Sequence, residues 1–152
     1  MKIENQVCTL EQAKKLQQLG IEQNTHYWWD EGDNVLYRCI DRSAKDIGCF
    51  AAFTVAELGI ALPDYKPSLG NLEIGKCETD HITMKPIKKS WWNASYWTWE
   101  NEKCTCGRIH IRKTNNYLQQ YPTLAQSLAA LLIHLLENNL ITAEEVNCRL
   151  SA

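Results

Sequence analysis

Residues 123–138 read TLAQSLAALLIHLLEN. Thr123 and Gln126 match the Thr-x-x-Glu/Gln capping box, in which the Thr hydroxyl accepts the N–H three residues on and the Gln side chain returns the bond. Leu124, Leu128, Leu131, Leu132, Leu135 and Leu136 then recur at helical spacing over more than half the circumference. A helix with so wide an apolar face must be buried, and a sheet is the natural cover. The stretch predicts a helix over 123–138 packed on strands.

The same box recurs at Thr9-Gln12, Thr54-Glu57 and Thr142-Glu145. These predict helices over 9–19, 54–62 and 142–150. Leu10, Ala13, Leu16 and Leu19 lie near one face of the first, and Gly20 stops it by accepting a left-handed conformation, with Ile21 folding back on Leu16. The second ends before Pro63. Phe53 with Leu58, and Ile141 with Val146, have the spacing of hydrophobic staples.

Between the helices the pattern turns to strands. His26–Trp29 and Val35–Ile40 flank Asp30-Glu31-Gly32-Asp33-Asn34, a hairpin loop. His81–Ile87, Trp91–Trp99 and Arg108–Lys113 read as a meander. Residues 63–76, with two prolines and two glycines, read as a long surface loop. The order predicts a single α+β domain over residues 1–152: an antiparallel sheet of about five strands with helices packed on one face.

Composition excludes several classes. An apolar fraction of 45% argues against disorder. No run reaches the roughly 20 apolar residues that span a bilayer, so no membrane partner is expected. MKIENQVCTL lacks the apolar core of a signal peptide, and the expected location is cytoplasmic. Seven cysteines, an odd number, then point to free thiols.

Four of the six tryptophans fall within Ser90–Glu100, SWWNASYWTWE. Strand alternation puts Trp91, Trp97 and Trp99 on one side and Trp92 and Tyr96 on the other. Residues 76–113 also carry eight basic and four acidic side chains, in a chain whose net charge is −2. In Arg108-Ile109-His110-Ile111-Arg112 the same alternation makes Arg108, His110 and Arg112 a cationic row, which a favourable register would lay beside the odd-numbered tryptophans. Trp91, Trp97, Trp99, Arg108, His110 and Arg112 are therefore the candidate binding residues. A solvated face with cross-strand cation–π pairs accounts for the same pattern, and a stacking platform for single-stranded nucleic acid is the other reading.

Cys104-Thr105-Cys106, His110, Cys77 and His81 invite a zinc site, but Cys-x-Cys is tighter than the usual ligand spacing. No metal or cofactor is expected. His134 reads as a helix-boundary residue, and Asp41, Arg42, Lys45 and Asp46 as a charged turn. No glycine-rich phosphate loop, Cys-His signature or scaffolded carboxylate pair is present.

Three stretches carry a resemblance: VCTLEQAKKLQQLGI (Val7–Ile21), AAFTVAELGIALP (Ala51–Pro63) and LLIHLLENNLITAEEVNCRL (Leu131–Leu150). Together they resemble short uncharacterised proteins of bacteria and their prophages. That implies a setting, an accessory protein of a mobile element, and no activity, cofactor or catalytic residue. The expectation is a non-enzymatic module that binds a protein or a second copy of itself. Single-stranded nucleic-acid binding, or an enzyme whose site is dispersed along the chain, are the alternatives.

Overall fold

Each of the four threonines caps a helix. The computed structural model describes residues 2–38, 48–66, 68–79, 86–103 and 109–152, with side chains for all of these except 78–79, 86–90, 99–103 and 109–120. Helix α1 spans Leu10–Gln18, α2 Val55–Ala61, α3 Leu124–Glu137 and α4 Ala143–Leu150. Thr9, Thr54 and Thr142 form complete capping boxes, each contributing about 1 kcal/mol to its helix. Thr123 accepts from the Gln126 N–H, but the Gln126 side chain does not complete the box. Instead Gln12 Nε2 donates to the Gln126 carbonyl at 2.9 Å, tying α1 to α3.

Both α1 and α3 end in Schellman motifs. At Gly20, with φ +85°, the Ile21 N–H reaches the Leu16 carbonyl and the Gly20 N–H that of Gln17. Asn139 does the same work after α3 at φ +55°, with Leu140 bonded to Leu135. This makes the tight link to α4. Lys66 Nζ then donates to the Leu140 carbonyl and pairs with Glu145. The Thr142 backbone N–H first, and Lys66 second, hold the Glu145 carboxyl below its usual range.

The strands are β1 (Tyr27–Asp30), β2 (Val35–Arg38), β3 (Cys49–Ala51), β4 (Tyr65–Lys66), β5 (Gly70–Thr79), β6 (Pro86–Lys103) and β7 (Ile109–Tyr121). They form two antiparallel sheets among the described residues, ordered β2-β1-β3 and β4-β5-β6-β7, where one sheet of about five strands was expected. The division arises because β1 is flanked on both sides, by β2 and by β3. The β1–β2 hairpin stands where expected. The 81–85 part of the expected His81–Ile87 strand and the charged turn at 41–46 lie outside the described residues.

Residues 63–76 correct the loop reading: they contain β4 and most of β5. The first of their glycines serves close packing. Gly70 has φ +89°, and a Cβ there would collide with the Trp97 carbonyl oxygen. Only glycine lets the chain enter β5 so close to β6.

Helix α3 is the hub. It packs on β6 and β7 of the large sheet and touches α1 and α2, while α1 lies on β3 and α2 on α4. Leu128, Leu131, Leu132 and Leu135 are fully buried in one cluster with Leu16, Phe53 and Tyr96. Each such side chain contributes roughly 1.5–3 kcal/mol of burial. Both staple pairs are buried in this cluster. Helix α3 thus packs on one face of the large sheet, the relation that the Leu-rich stretch demanded, while α1 lies on the small sheet.

Candidate functional site: the outer face of the large sheet

Strand β6 sorts its residues as a pleated strand must. Ala94 and Tyr96 point into the core and are fully buried. The Tyr96 hydroxyl donates to the Pro63 carbonyl at 2.5 Å, and burial pushes its pKa up. On the same side, Ser127 of α3 donates to the Trp92 carbonyl at 2.6 Å and accepts the Tyr121 N–H at 3.1 Å. Because Trp92 and Tyr121 are register partners, one hydroxyl clamps both strands to the helix.

The odd-numbered residues lie on the opposite face. Trp91 is 39% exposed, Asn93 and Trp97 are half-buried, and Ser95 is 4% exposed. Across β5, Trp91 pairs with Cys77, Asn93 with Gly75, Ser95 with Glu73, and Trp97 with Asn71. Asn71 in turn pairs with Tyr65 of β4, which is 59% exposed. On this face Gly75, Asn93, Ser95 and the exposed Glu73 lie between Trp91 at one end and Trp97 and Tyr65 at the other. The six residue steps from Trp91 to Trp97 span roughly 20 Å. Nothing lies within 4 Å of where a Cβ on Gly75 would sit. Among the described residues Asn93 Oδ1 is buried without a hydrogen-bond partner, an arrangement that costs roughly 1–3 kcal/mol.

The cationic row falls elsewhere. Up to Tyr96↔Tyr117 the β6–β7 register pairs even-numbered with odd-numbered residues. The next pair is Trp97↔Asn115, so Asn116 is an extra residue and the parity changes. Beyond this bulge Arg112 is the partner of Glu100, His110 of Glu102, and Trp99 of Lys113. Arg112 and His110 therefore alternate out of step with Trp97 and Trp99, each opposite a glutamate. Arg108 lies outside the described residues.

Of the features the sequence left unweighted, Tyr65 and Gly75 were hidden inside the supposed loop, and Asn93 carried no local signal. Cys8, Cys49, Cys77 and Cys148 are free thiols. Burial pushes the Cys8 thiol up to about 12. Among the described residues no group of three His, Cys, Asp or Glu side chains is placed to hold a metal, and Cys104, Cys106 and His81 lie outside them. No described helix is long and apolar enough to cross a membrane. No protein-family model, curated protein or solved structure matches the chain.

Proposed function

We propose that this chain is a non-enzymatic α+β interaction module that engages a protein partner through the outer face of the large sheet. One observation carries the reading: a large aromatic side chain, Trp91, stands 39% exposed on the face of β6 opposite the one that α3 packs against. Trp and Tyr are the residue types enriched at protein interfaces, where they bury much area at little entropic cost. A cytoplasmic location and a mobile-element setting belong to the same proposal, and rest on the sequence readings above.

The test places a photo-crosslinking residue at position 91, with position 60 as control, since Ile60 is an exposed residue on α2. A discrete adduct is expected from position 91 alone. Excess unlabelled wild-type protein should suppress it, and excess Trp91→Ala should not. Equal labelling from both positions, or equal competition by the variant, would refute the reading. Nucleic-acid binding is the runner-up. The backbone register weighs against it, because it sets Arg112 and His110 out of step with Trp97 and Trp99, so the cationic row and the odd-numbered tryptophans do not share one face. Salt-sensitive binding of single strands that weakens in Arg112→Ala would favour it instead.

A further inference from the structure

We draw no further inference here: the strongest candidate, the cleft of about 430 Å³ between the α1–β1 link and α4 lined by Glu22, Glu144, Asn147, Cys148 and Ser151, rests on two carboxylates and a lone exposed cysteine, with no second feature among the described residues that points to a ligand.

Discussion

Replacing Ser127 by alanine should loosen the large sheet from its helix. The Ser127 side chain is fully buried and makes two bonds, to the Trp92 carbonyl at 2.6 Å and from the Tyr121 N–H at 3.1 Å. Alanine preserves the helix and leaves almost no cavity. The cost is therefore that of two backbone groups left without their partner. Orphaned buried polar groups cost about 1–3 kcal/mol each. Neither backbone group is wholly cut off from water, since Tyr121 is partly exposed and Trp92 half-buried, so the lower half of the range applies. The sum is roughly 2–4 kcal/mol, which for a domain of this size lowers the melting temperature by about 5–15 °C. Urea unfolding followed by tryptophan fluorescence and far-UV circular dichroism measures it. The denaturant slope should be unchanged, because the same surface is exposed. A loss under about 0.5 kcal/mol would refute the clamp, since surface-like substitutions fall in that range.

Other outcomes follow from the same geometry. Gly70→Ala should cost more than the roughly 1–2 kcal/mol of a left-handed alanine, because its Cβ meets the Trp97 carbonyl; a melting temperature within error of wild type would contradict the close approach. Asn93→Thr removes an orphaned buried acceptor and adds a strand-former, so thermal melts should show stability unchanged or raised by about 1 kcal/mol. A clear loss would mean that Oδ1 has a partner in solution. At pH 8 iodoacetamide should modify exposed Cys148 quickly and Cys8 only on unfolding. The folded state holds the Cys8 proton to about pH 12, whereas an unperturbed thiol ionises near 9.0. The Cys8 contribution to stability is therefore full below pH 9 and falls as pH rises above it; peptide mapping and alkaline melts check both.

The helices were legible because their signals are local. A capping box spans four residues and an apolar stripe two turns, so α1, α2, α3 and α4 begin where Thr9, Thr54, Thr123 and Thr142 mark them. The division of 91–99 into two faces was legible for the same reason, but not that the Tyr96 face is the buried one and the Trp91 face the exposed one. Strand β5 was not legible. Pro63, Pro67, Gly70 and Gly75 have the composition of a loop, and the need for Gly70 arises from Trp97, twenty-seven positions away in the chain. The partner of the tryptophans was hidden by a single residue. The extra Asn116 changes the β7 parity, so Arg112 and His110 are register partners of Glu100 and Glu102 and not of the odd-numbered tryptophan positions. A bulge is set by tertiary twist and has no signature that period-two reading detects.

The account rests on β6 dividing a buried face from one that sees water. Fluorine NMR of protein labelled with 5-fluorotryptophan, with each resonance assigned by substitution, tests this division directly when a soluble nitroxide is added. Trp91, at 39% exposed, should broaden strongly, and Trp28, at 5%, should stay sharp. Substituting Tyr96 by tryptophan to carry a third probe should yield a resonance as protected as that of Trp28. A sharp Trp91 signal beside a broadened probe at position 96 would reverse the faces and contradict the account.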